Sequence, residues 1–89
     1  MKWKITFSKA VEKSFQSGQF HKHEVVAAIT MALNRLRGKS EPVDIKKLRG
    51  QWEGYYRIKL SRQRIIFTIQ FASRTVYIER IASRDIFYR

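Results

Sequence analysis

The sequence predicts a small α+β domain: a helical hairpin on one face of an antiparallel sheet, in the order β-α-α-β-β-β with a short closing helix. Three observations carry this. Residues 2–7 alternate apolar and polar, residues 21–37 repeat apolar residues at three-and-four spacing, and from residue 53 onward alternation returns, broken by two short turn signals.

In residues 2–7, Trp3, Ile5 and Phe7 share one face, while Lys2, Lys4 and Thr6 take the other, as in a half-buried strand. Ser8 then reads as a helix N-cap. Val11 and Phe15, four apart, give the first helix its apolar side, and Ser17-Gly18 ends it, because glycine tolerates the left-handed C-terminal conformation. Val25, Val26, Ile29, Ala32, Leu33 and Leu36 make one stripe along the second helix. Arg35 and Arg37 suit the negative end of its dipole, and Gly38 stops it. Residues 38–45 hold the single proline and read as a loop.

Three strands are expected after that loop. Residues 53–60 put Tyr56, Ile58 and Leu60 on one face and Tyr55, Arg57 and Lys59 on the other. Residues 64–71 put Ile65, Phe67, Ile69 and Phe71 inward and Arg64, Ile66, Thr68 and Gln70 outward. Residues 75–81 form the last. Turns at Ser61-Arg62 and Ala72-Ser73 join them as an antiparallel meander. Ser83 to Arg89 has room for one helical turn.

Eighty-nine residues suffice for one domain, expected over 1–89. The chain has no cysteine, which excludes a disulfide scaffold and cysteine-ligated zinc and fits a reducing cytoplasm. No apolar run approaches the ~20 residues of a membrane span, so no membrane role is expected.

Charge is the strongest compositional feature. Nineteen Lys and Arg against seven Asp and Glu give a net charge of +12. Residues 45–89 carry +8 of it. Such self-repulsion calls for a polyanionic partner. The outward rows supply cations on neighbouring strands: Arg57 and Lys59 with Tyr55, then Arg64, preceded by Lys47 and Arg49 and followed by Arg80 and Arg84. A phosphodiester backbone would satisfy them, and Trp52, Tyr55 and Tyr88 offer stacking surfaces for unpaired bases. The bland alternative is the solvated face of an amphipathic strand.

Other chemistries lack their parts. His21 and His23 read as a solvated helix start, and Glu53, Glu79 and Asp85 are scattered. No glycine-rich phosphate loop or nucleophile elbow is present. Catalysis here would need no metal or cofactor and would run on Lys, Arg and Tyr, as in attack of an RNA 2′-hydroxyl on its own 3′-phosphate.

The stretches KLRGQWEGYYRIKLSRQRIIFTI and VYIERIASRDIFYR resemble the RelE/ParE toxin superfamily of bacterial toxin–antitoxin systems. The shared pattern is Leu-Lys/Arg-Gly, a Tyr-Arg-Ile strand, a strand opening Arg-Ile-Ile, and a last strand followed by Arg-x-x-x-Tyr. The resemblance spans nearly the whole chain. It implies a toxin held by a cognate antitoxin. In the RelE branch such toxins are ribosome-dependent endoribonucleases that cut mRNA in the decoding site; in the ParE branch they act on gyrase without catalysis. A degenerate nucleic-acid-binding member is a third expectation.

Residue by residue, the resemblance places catalytic functions on Arg57, Lys59, Arg64, Arg84 and Tyr88, which favours the RNase branch. Lys59 would be general base or charge stabiliser beside Arg57. Arg64 and Arg84 would hold the scissile phosphate, and Tyr88 would orient a base. Lys47, Arg49, Tyr55, Arg62 and Arg80 would bind RNA further out. Two positions depart from the pattern. Ser83 stands where many relatives have histidine, and Arg57 replaces a lysine.

Overall fold

Ser8 ties the first strand to the first helix and to the far end of the chain. Its hydroxyl caps the helix, accepting from the Val11 amide at 3.2 Å, and donates to the Glu79 carbonyl at 2.8 Å. The computed structural model describes residues 2–83, so the closing helical turn, with Arg84 and Tyr88, lies outside the described residues. Among these, β1 (Lys4–Phe7), α1 (Lys9–Gln16), α2 (Lys22–Leu36), β2 (Asp44–Lys47), β3 (Tyr56–Lys59), β4 (Arg64–Gln70) and β5 (Thr75–Ala82) follow in chain order, with a 3₁₀ turn at Gly50–Trp52.

The sheet order is β1-β5-β4-β3-β2. The expected meander is present: β3, β4 and β5 pair antiparallel. Two features differ from expectation. β1 joins the far edge parallel to β5, Lys4 opposite Thr75. The stretch expected as loop to residue 45 becomes a fifth strand, β2, antiparallel to β3. Its pattern is faint because only Ile45 among its four residues is apolar, as suits an edge strand guarded by lysines.

Both helices cover one face, α1 over β5 and α2 over β3. Val11, Val25, Ala28, Ile29, Ala32 and Leu33 meet Ile58, Ile65, Phe67, Val76 and Ile78 in the main core. Each large side chain among them contributes about 1.5–3 kcal/mol through burial. Phe7 and Phe15 meet edge-on at 5.3 Å, joining β1 to α1. Tyr56 stacks on Phe67 at 5.6 Å.

Two apolar residues leave the expected stripes. Leu36 closes the last turn of α2 and is exposed, with Ala28 buried in the stripe instead. Phe71 falls one residue beyond β4 and is 61% exposed, its ring edge-on to Trp3 at 6.2 Å.

Candidate nucleic-acid interface

The face away from the helices follows from register. Antiparallel pairing sets Asp44 beside Lys59, Lys59 beside Arg64 and Arg64 beside Ala82. The next row is Lys46, Arg57, Ile66 and Arg80. Neighbours in such rows are roughly 4.5–5.5 Å apart at Cα. Lys46, Arg57, Lys59, Arg64 and Arg80 thus share two adjacent rows with a single carboxylate, Asp44.

A bulge in β5 decides which charge faces this patch. Phe67 opposes Ile78, but Ile66 opposes Arg80, so Glu79 is the extra residue. Simple alternation would bring Glu79 opposite Ile66 and send Arg80 toward the helices with Val76 and Ile78. The bulge instead turns Arg80 outward and returns Ile81 to the main core.

Arg57 and Arg64 are not loosely solvated. They are 6% and 9% exposed, the two buried charged residues among those described. Arg57 Nη2 donates to Asp44 Oδ1 at 3.0 Å, across to the edge strand. Arg64 Nη1 donates to the Leu60 and Gln63 carbonyls at 2.8 and 3.0 Å. Those carbonyls bracket the Ser61-Arg62 turn, so Arg64 fastens the hairpin from which it rises. Lys59 is exposed between them.

The outer face also carries a second, small core. Ile66 is fully buried there, packed with Leu48, Trp52, Tyr55 and Ala82. Trp52 and Tyr55 meet edge-on at 5.2 Å. The segment that places them turns on glycines: Gly50 has φ +68° and Gly54 φ +91°, values that disfavour a side chain. The backbone returns to the sheet through Leu48 N–H donating to the Tyr55 carbonyl at 2.9 Å. This cluster stands as a wall between Arg57 and Arg80 in the second row and reaches Ala82 at the end of the first.

The remaining sequence candidates separate. Arg62 is exposed in the β3–β4 turn, and Arg49 is exposed at the start of the 3₁₀ turn. Tyr55 belongs to the wall. Lys47 stands opposite Tyr56, whose ring is in the main core, so register places it on the helix side of the sheet. Sequence reading misses Asp44. Its signal is the Asp-Ile-Lys-Lys run, legible only once β2 is known to pair with β3. Among the described residues, no three His, Asp or Glu side chains gather as a metal site.

No family model and no curated protein matches the chain. Solved structures do match its fold. The YoeB–YefM complex from Staphylococcus aureus has TM-score 0.63 at 18% identity, over 94% of this chain and 99% of that one. The archaeal RelE–RelB complex from Pyrococcus horikoshii has TM-score 0.60 at 23% identity, over 97% and 99%. A copper-bound mutant toxin from Helicobacter pylori has TM-score 0.70 at 12% identity, over 98% and 100%. The chain has the fold of the RelE-like toxins.

Proposed function

We propose that the chain is a RelE-like toxin of a toxin–antitoxin system, an endoribonuclease that cuts mRNA on the ribosome without a metal ion. The observation that carries this reading is the pair of cationic rows, gathered around the Asp44–Arg57 ion pair on a sheet of the RelE-like fold. The exposed cations on this face, Lys59 and Arg80, suit the phosphates of a single strand of RNA, with the Arg57 and Arg64 guanidiniums buried beside them.

The chemistry is a transesterification. The 2′-oxygen bonds to the adjacent phosphorus while the bond to the 5′-oxygen breaks, leaving a 2′,3′-cyclic phosphate and a 5′-hydroxyl. Asp44 takes the 2′ proton, because it is the one carboxylate in the two rows and is exposed directly beside Lys59. Lys59, directly across from Asp44, stabilises charge on the phosphorane-like transition state, with Arg57 and Arg64. Arg84, by the resemblance, holds the same phosphate, and the departing 5′-oxygen takes its proton from water. Tyr88, by the same resemblance, orients a base.

A cognate antitoxin is the protein partner. Its binding segment is acidic and covers the basic rows. A cytoplasmic location follows from a target in the decoding site.

The test is cleavage of a message on programmed ribosomes, with cut sites mapped by primer extension and naked mRNA as the control. Cuts confined to the decoding site are expected. Absence of cleavage, together with unimpaired translation, would sink the reading and direct attention to gyrase.

A further inference from the structure

We propose that Tyr77 is a stacking platform for one unpaired base of the message, flanking the scissile phosphate, with Arg80 holding the phosphate between. The inference deepens the RNase reading and rests on it.

The path of an RNA strand over the outer face is narrowed by what already sits there. The Leu48, Trp52 and Tyr55 cluster closes over Ile66 on β4 and reaches β5 at Ala82. Among the described residues, the face beyond it continues along β5 from Arg80 toward Tyr77. Arg80 and Tyr77 are the consecutive residues of β5 on that face, because the Glu79 bulge and the inward Ile78 lie between them. Arg80 is exposed, and Tyr77 is among the exposed large hydrophobics at 37%.

Tyr77 differs from the other tyrosines among the described residues. Tyr55 is held by Trp52 and Tyr56 by Phe67. Tyr77 has no aromatic neighbour or hydroxyl partner among the described residues. Its cross-strand neighbours are two short side chains, Thr6 on β1 and Thr68 on β4. An aromatic standing above small polar neighbours, next to a cation and at the mouth of a basic patch, fits base stacking on an open sheet. Charge rules out an apolar protein surface, which would have no answer to the adjoining cations, and the exposed ring beside Arg80 favours a nucleic-acid base over an acidic protein segment, which has no base to stack.

The experiment is steady-state cleavage on programmed ribosomes by the wild type, Tyr77→Ala and Tyr77→Phe, with messages carrying one abasic nucleotide at successive positions around the cut. Tyr77→Ala is expected to raise KM roughly 5- to 150-fold, the range for losing one base–aromatic stack, with kcat little changed. Tyr77→Phe, which keeps the ring, restores KM. One abasic position should raise the wild-type KM by a similar factor and leave Tyr77→Ala unaffected.

A wild type that cuts but is matched by Tyr77→Ala at every position overturns this inference alone. A wild type that cuts nothing overturns the RNase reading and this inference with it. Unchanged cleavage by Tyr77→Ala with weakened antitoxin binding also overturns it, and assigns the ring to the antitoxin.

Discussion

Arg57 and Asp44 form a lopsided pair: the guanidinium side chain is 7% exposed and the carboxylate side chain 58%, their atoms 3.0 Å apart. The exposed carboxylate helps to orient the buried guanidinium and is itself reachable from solvent. On the proposed function, structural and chemical duties therefore fall on different ends of one ion pair.

Asp44→Asn should separate those duties. The amide can still accept from Arg57, and the carboxylate is largely in water, so stability should change by no more than about 1 kcal/mol. Loss of the proton acceptor should lower cleavage about 10²- to 10⁴-fold. Thermal melting paired with single-turnover cleavage on ribosomes reads both. Full activity in Asp44→Asn would return the proton to Lys59.

Lys59→Ala should leave the melting temperature nearly unchanged, because the residue is exposed and surface substitutions usually stay within about 0.5 kcal/mol. Cleavage should fall by roughly tenfold or more at saturating substrate, as expected for a charge-stabilising group. A change confined to KM would limit Lys59 to binding.

Arg64→Ala should lose stability as well as activity. Removing Nη1 strips two backbone carbonyls of a charged donor, and hydrogen bonds to charged groups are worth about 1.5–3 kcal/mol. Differential scanning calorimetry should show a drop of several degrees in Tm. A toxicity assay alone would misread this variant, since a poorly folded toxin is also harmless.

Ile66→Ala should cost about 2–5 kcal/mol, as in a principal core, although alternation places Ile66 on the outward face. Urea denaturation checks this. A loss below about 1 kcal/mol, outside the range for a packed core residue, would mean that the cluster with Leu48, Trp52 and Tyr55 packs too loosely to wall the site.

Deleting Glu79 should remove the bulge without changing the pairing. Arg80 would follow Ile78 directly, still opposite Ile66 and outward, and Ile81 would stay opposite Ile65 on the helix side. Thermal melting checks this: a retained cooperative transition is the expected result, and its loss would show that the sheet needs the bulge itself. Glu79→Gln, which keeps the bulge, should melt normally.

Most of the scaffold is legible because its signals are local. Ser8, Gly18 and Gly38 punctuate the helices where expected, and the Ile-x-Phe-x-Ile alternation of β4 fixes its inner face. What is illegible depends on partners distant in sequence. β2 has too little hydrophobic pattern to announce itself, and its strand identity comes from pairing with β3. The parallel join of β1 and the bulge at Glu79 are likewise properties of a pair. At the site, Arg57, Lys59 and Arg64 share one patch, as alternation predicts. Asp44 escapes a search for cations, and Lys47, expected with them, is sent by register to the opposite face.

The pairing of β1 with β5 has a consequence for synthesis. The Thr6 hydroxyl donates to the carbonyl of Val76, 70 residues later, and Ser8 reaches Glu79. The first strand to leave the ribosome must wait for the last before either edge is satisfied. Long-range closure of this kind slows folding. A nascent chain therefore cannot complete its sheet, or bring Arg80 into the row of Arg57, until β5 has been made. On the proposed function, that interval gives an antitoxin time to meet the chain before the site is complete.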